Sequence, residues 1–138
     1  MKLSNLAFAV LIICLLLPLL SCPKRPGEFV GKDYEMMKGA KRISRLIDEY
    51  FRDVAEYPES LEQVKQYLLP NEKWPENPYT KKPIADTGSR NFDPAASVGM
   101  VYYERIFRDE QQVNYNLHVF GDRGKLYIIG NTAFGQKE

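Results

Sequence analysis

Met36, Ala40, Ile43, Ile47, Tyr50 and Val54 recur at alternating steps of four and three, a spacing that puts all six on one side of a helix. Leu46 and Phe51 widen that stripe, while Lys38, Lys41, Arg42, Arg45, Glu49 and Arg52 fall largely elsewhere. The spacing predicts a helix from Asp33 to Glu56. Three heptads are too few to insist on a coiled-coil seam, and the widened face suits a helix lying on a sheet. Tyr57-Pro58 stops the helix, because the residue before a proline is pushed out of the α region.

The rest of the chain supplies that sheet. Ser60-Leu61-Glu62-Gln63 reads as a capping box opening a short second helix to about Leu68, in which Ser60 caps the Gln63 amide and the Gln63 side chain returns the bond. Asn71 to Ala96 is rich in Pro, Asn, Gly and Ser and reads as one long loop. Loops of that length are usually functional or mobile, and Trp74 and Tyr79 within it are the candidate contact residues, although a lone tryptophan is more often a packing anchor. Val98 to Tyr103 is strand-like. Val113, Tyr115, Leu117 and Val119 alternate with Asn114, Asn116 and His118, the period of a strand with one buried face. Gly121-Asp122-Arg123-Gly124 makes a tight turn into Lys125 to Ile129, and Arg105 to Gln112 reads as a more open connection. The expected class is α+β: a long N-terminal helix packed on a small antiparallel sheet of about three strands.

The first twenty residues are of another kind. Lys2 is the only charge before Lys24, and Leu6 to Leu20 is apolar throughout, the form of a secretory signal. Leu19-Leu20-Ser21-Cys22 then matches the lipobox of bacterial lipoproteins. The cysteine thiol is nucleophilic enough to be thioether-linked to diacylglycerol, and the small Ser21 fits a peptidase that cuts before Cys22. These residues predict a signal peptide over 1–21, cleavage between Ser21 and Cys22, lipidation of Cys22, a Pro/Gly tether over 22–32 and a globular domain over 33–138. An uncleaved signal anchor is the plainer alternative. Lys24 and Arg25 sit where anionic headgroups would meet them, worth ~1 kcal/mol each, and would suit a solvated linker equally well. The expected location is a bacterial membrane, facing the periplasm or the cell exterior.

Of the 19 Lys and Arg, removal of the signal takes one, leaving a domain balanced against 18 Asp and Glu. No basic excess argues for nucleic acid. Cys14 leaves with the signal and Cys22 is lipidated, so neither a disulfide nor a zinc site is expected. His118, the one histidine, falls on the Asn114/Asn116 side of its strand and reads as solvated or hydrogen-bonded rather than catalytic. Asp48, Glu49, Asp53 and Glu56 interleave with Arg45 and Arg52 as ordinary helix-surface ion pairs. No phosphate loop and no Gly-x-Ser-x-Gly elbow occurs. No cofactor or metal is expected. Tyr102, Tyr103, Phe107, Tyr127 and Phe134 are too many for one small core, and some of them suit a contact patch.

The order of elements and their punctuation resemble the globular half of the type IV pilin family, closest to the major pseudopilin of type II secretion. The residues that carry this are Asp48-Glu49-Tyr50-Phe51-Arg52-Asp53 leading to Tyr57-Pro58. Trp74-Pro75-Glu76-Asn77-Pro78-Tyr79-Thr80-Lys81-Lys82-Pro83 follows, with Lys81 where the family commonly has glycine. Gly99-Met100-Val101-Tyr102-Tyr103 resembles its first strand, and Tyr115-Asn116-Leu117 with Gly121-Asp122-Arg123-Gly124-Lys125 resembles its last hairpin. Each motif is short, and five in order between Lys38 and Ile129 carry the resemblance. It implies a non-enzymatic interaction module with an envelope protein partner, in a type II secretion or type IV pilus-like system. Two departures matter. No glycine precedes the apolar run and no glutamate lies inside it, so the stem that seats pilins in a fibre is missing. Asp122 is the only carboxylate in its turn, short of what Ca²⁺ requires, so the calcium site of some pseudopilins is not carried over. The alternative function is a lipid-anchored domain whose loop closes on a peptide or glycan beside Trp74 and Tyr79. An envelope hydrolase is a third reading, without a nucleophile–base pair to support it.

Overall fold

The computed structural model describes residues 29–130. The signal peptide, the Ser21–Cys22 junction, the lipidated cysteine, most of the tether and Phe134 lie outside the described residues. Within them the fold is α+β: one helix, α1 (Gly31–Val54), and one antiparallel sheet of β1 (Val101–Arg108), β2 (Gln111–Gly121) and β3 (Gly124–Gly130), in that order across the sheet.

The apolar stripe forms α1 as its spacing requires, with Met36, Met37, Gly39, Ala40, Ile43, Leu46 and Ile47 buried. The helix takes in Gly31 and Lys32 and ends at Val54, two residues short of the expected Glu56. Ala55 ends it in the left-handed conformation at φ 60°, donating its N–H to the Phe51 carbonyl at 2.8 Å. Such a cap strains alanine by about 1 kcal/mol. It turns the chain back so that Tyr57 stacks on Phe51, ring centroids 4.4 Å apart.

The second helix is shorter and tighter than expected, a 3₁₀ turn over Gln63–Tyr67 that buries Val64. Ser60 does not cap it through its side chain: its backbone carbonyl accepts from the Gln63 amide at 3.3 Å. The Gln63 side chain accepts from the Glu59 amide at 2.6 Å, one residue upstream of the expected partner. Five residues before an extended Leu68 leave room for i→i+3 bonds such as Leu68 N–H to the Lys65 carbonyl at 3.2 Å.

β1 starts and ends three and five residues later than the expected 98–103 strand, and the connection to β2 is not open. Arg108 pairs with Gln111, so Asp109-Glu110 alone makes the turn, with φ 49° and 65°. Two left-handed central residues are the signature of a type I′ hairpin, normally announced by Asn-Gly or Asp-Gly. Here no glycine announces it. The β2–β3 turn falls where expected, with Gly121 paired to Gly124.

The core lies between the stripe of α1 and the sheet residues Val101, Tyr103, Tyr115, Leu117 and Val119. One flank of the helix meets the sheet, where the Tyr115 hydroxyl lies 2.8 Å from Ser44 Oγ and donates to Asp48 at 3.1 Å. The other flank meets the proline-rich loop. At Gly39, mid-helix, a Cβ would lie 2.7 Å from Ile84 Cδ1 and 3.2 Å from Pro75 Cβ, so glycine lets the loop lie against the backbone.

That loop is stapled rather than open. Asn77, 3% exposed, donates to the Val98 carbonyl at 2.9 Å, and its side-chain oxygen accepts from the Tyr79 amide at 2.9 Å. Gly99, at φ +67°, lies over it, and a Cβ there would fall 2.0 Å from Asn77 Oδ1. Gly99→Ala is therefore expected to cost more than about 2 kcal/mol, from left-handed strain and the clash together. Glu110→Gly should stabilise by about 0.5 kcal/mol, the relief of strain exceeding the added unfolded-state entropy. Chemical denaturation of each variant reads both signs.

Candidate functional site

Trp74 and Tyr79, the residues singled out in the proline-rich loop, sit at different places and both hold the loop to the body. Trp74 donates its indole N–H to the Ile84 carbonyl at 2.7 Å, and Lys65 Nζ stands 5.2 Å from its ring centre. The Tyr79 hydroxyl donates to Asp33 in the first turn of α1, and Lys32 Nζ lies 5.6 Å from its ring. Burial, the Asp33 bond and the nearby Asp33 and Asp122 carboxylates all push the Tyr79 hydroxyl pKa up, so it stays protonated as a donor. The polar ends of both rings are thus used within the fold, leaving their partly exposed faces for any contact.

Of the four acids expected to pair along the helix surface, Glu49 does, with Arg45 at 3.1 Å and Arg52 at 3.9 Å, whereas Asp48 accepts from the Tyr115 hydroxyl, Asp53 from the Tyr67 hydroxyl at 2.6 Å, and Glu56 lies beyond the helix end. A stronger arrangement has no signal in the sequence. Glu72, on the turn after Pro70, takes Arg42 Nη2 at 2.8 Å and Arg45 Nη2 at 2.8 Å on one oxygen. Its other oxygen accepts from Arg45 at 3.0 Å and from the Leu69 amide at 3.2 Å. The Arg42 bond first, then the Leu69 amide, hold its carboxyl down at about 2, against some burial. Side chains 27 and 30 residues apart meet here only because the loop returns to the helix.

His118 is buried, at 3% exposure, so of the two expected states it takes the hydrogen-bonded one. Its Nε2 lies 2.7 Å from Glu104 Oε2, which also accepts from Asn116 Nδ2 at 3.1 Å, and Arg90 Nη1 approaches the other Glu104 oxygen at 3.8 Å. The His118 bond first, then Asn116, hold the Glu104 carboxyl below its usual range, partly opposed by burial. Tyr102 covers the imidazole with ring centres 5.4 Å apart. An imidazole–carboxylate pair can hold a proton. Among the described residues Nδ1 has no hydrogen-bond partner. Glu104 is legible in the sequence only once β1 is carried past Tyr103, because pairing then sets it opposite Asn116.

Of the aromatic residues in question, Tyr103 is core, with its hydroxyl on the Pro58 carbonyl at 2.9 Å. Phe107 and Tyr127 are the exposed ones, at 52% and 39%. Beside Phe107's strand, between the end of α1 and the β1–β2 hairpin, lies a groove of about 340 Å³. Phe51, Ala55, Tyr57, Ile106 and Val113 make its apolar wall, and Arg108, Gln111, Gln112 and Asn114 its polar rim. Its size is at the lower end for a small-ligand site. The wall is backed by a chain of rings, Tyr57 on Tyr115 at 5.6 Å and Tyr115 on Tyr103 at 5.7 Å. Sequence reasoning did not find this groove, because it needs the extended hairpin.

Among the described residues no group of three or more His, Cys, Asp or Glu is placed to hold a metal ion, and no helix is long and apolar enough to cross a membrane.

The Glu72 clamp sets a pH dependence. A carboxyl held down to about 2 in the fold, against 4.5 ordinarily, stabilises fully above pH 4.5, and that stabilisation is lost as pH falls toward 2. Glu72→Gln should therefore melt lower than the parent at pH 7, and the gap should close between pH 4.5 and about 2 in thermal melts across that range. No protein-family model matches the chain, and no curated protein or solved structure matches it.

Proposed function

We propose that this chain is a lipid-anchored, non-enzymatic interaction module of the bacterial envelope, with a pilin- or pseudopilin-like head, serving a type II secretion or type IV pilus-like system. The observation that carries the proposal is Leu19-Leu20-Ser21-Cys22 closing an apolar run of signal length. A mature chain beginning at Cys22 with two or more acyl chains is held stably, whereas one chain alone binds marginally.

The head supports the pilin-like half of the reading in three ways. Its class, α+β with a three-stranded antiparallel sheet, is compatible with it. The short motifs of the resemblance touch one another: Asn77 bonds to Val98 and underlies Gly99, and Tyr103 bonds to Pro58. Lys81, standing where glycine is common, has φ 62°, the conformation that glycine adopts without strain. A helix that starts at Gly31, within the expected tether, and lies on the sheet is the arrangement that the resemblance implies.

The groove at the end of α1 favours a second reading, a lipid-anchored domain binding a peptide or glycan there rather than beside Trp74 and Tyr79.

Cys22→Ala should accumulate unprocessed in the producing cell and take up no labelled palmitate, while the parent is labelled and shortened. Label entering the Cys22→Ala protein, or a parent whose mass retains Met1 to Ser21, would overturn the anchor.

A further inference from the structure

Resting on the Cys22 anchor proposed above, we infer that the tethered end of the domain lies on an anionic lipid surface, with Val30 and Tyr34 at headgroup depth. Three independent observations converge on that end.

The first is reach. Seven residue-to-residue steps separate Cys22 from Phe29, which packs against the core beside the start of α1. Fully extended, they span at most about 25 Å. The anchored domain cannot move further than that from the bilayer, so this end is the one held against it.

The second is exposed apolar and aromatic surface where the tether meets the fold. Val30 is 76% and Tyr34 54% exposed. Phe29 and Tyr34 share a groove with Lys38 and Lys41 on the outer side of α1. Aromatic rings beside lysines form the arrangement that sits at a membrane–water boundary, with ring bodies among the headgroups and ammonium groups reaching phosphate.

The third is charge. Residues 22–45 carry seven Lys and Arg against three Asp and Glu, whereas residues 46–138 carry eleven against fifteen. A mature chain with 18 basic residues against 18 acidic is thus polarised along its sequence, positive in the part nearest the anchor and negative in the remainder. Of the three acids in residues 22–45, Glu28 lies outside the described residues, Asp33 is engaged by Tyr79, and Glu35 lies 3.9 Å from Lys38. Lys32 and Lys41 remain exposed. A negative body leaning on an anionic bilayer is repelled, and a positive end is drawn to it, so the field selects the same orientation as the tether.

The test uses the mature lipidated protein in vesicles of phosphatidylethanolamine and phosphatidylglycerol, 7:3. With Cys22 acylated and Cys14 gone with the signal, a single new thiol can be labelled at Tyr34→Cys or, at the far hairpin, at Glu110→Cys. An environment-sensitive fluorophore at position 34 should shift to the blue and be quenched several-fold more by bromine-bearing lipid than the same probe at position 110. Lys32→Glu with Lys38→Glu and Lys41→Glu should abolish that difference while the protein still floats with the vesicles. Vesicles of phosphatidylcholine alone should reduce it. Equal quenching at positions 34 and 110 in protein that floats overturns the orientation and leaves the anchor standing. Wild-type protein that fails to float overturns the anchor, and this orientation with it.

Discussion

The buried side of α1 is wider than a three-stranded sheet covers. From Leu46 through Ile43 and Met36 to Met37 it spans about 180° at 100° per residue. Three strands about 4.8 Å apart cover little more than the width of one helix. Whatever lies along the uncovered flank has to be supplied by chain that is neither helix nor strand. This requirement explains why the segment between Val54 and Val101 is held so firmly. Leu61, Val64 and Ile84 are buried on the core and Trp74 packs against it, so the irregular segment acts as a further layer.

Irregular chain used as a layer has to find partners for its backbone polar groups without a ladder. Asn77 answers much of that need. One buried amide side chain bonds to Val98 and to the amides of Tyr79 and Thr80, tying the middle of the loop to its end. Backbone bonds from Asn77 to Lys82 and from Ile84 to Pro75 close the loop around it. Glu72 does the corresponding work at the surface, where two guanidinium groups from the helix converge on one carboxylate. Polar residues in such positions look like binding chemistry in a sequence. Here they hold an unladdered layer in register with the helix beneath it.

The helix, the strand alternation around Tyr115 and the β2–β3 turn were legible because each is written in local periodicity or in glycine. The type I′ turn at Asp109-Glu110 was not, since its conformation is imposed by the pairing of Arg108 with Gln111 and not by its residue types. That omission also hid Glu104 as the partner of His118, and hid the groove under the hairpin. Ser60 shows the opposite error: a capping signature is present, but a 3₁₀ turn of five residues leaves its hydroxyl unused as a cap. Trp74 is the packing anchor that a lone tryptophan suggests and Tyr79 is another, but the carbonyl and carboxylate that hold them come from elsewhere in the fold and leave no mark nearby. What the sequence could not place was any contact requiring the loop's return path.

The domain has two ends with different chemistry. At one, the start of α1 carries Tyr34 and the lysines, and Tyr79 brings Asp33 close to the Asp122 turn of the β2–β3 hairpin. At the other, the end of α1 meets the tip of the β1–β2 hairpin around the groove. A 24-residue helix separates them by about 36 Å. The proposed tether, fixed at the first end, would present the groove outward, beyond the reach of the headgroups and their counterions, whose field decays over about 8–10 Å. A groove facing lipid would be covered by the surface that anchors it. Placed at the far end, with an apolar wall and an arginine on its rim, it would under the proposed anchor face away from the lipid.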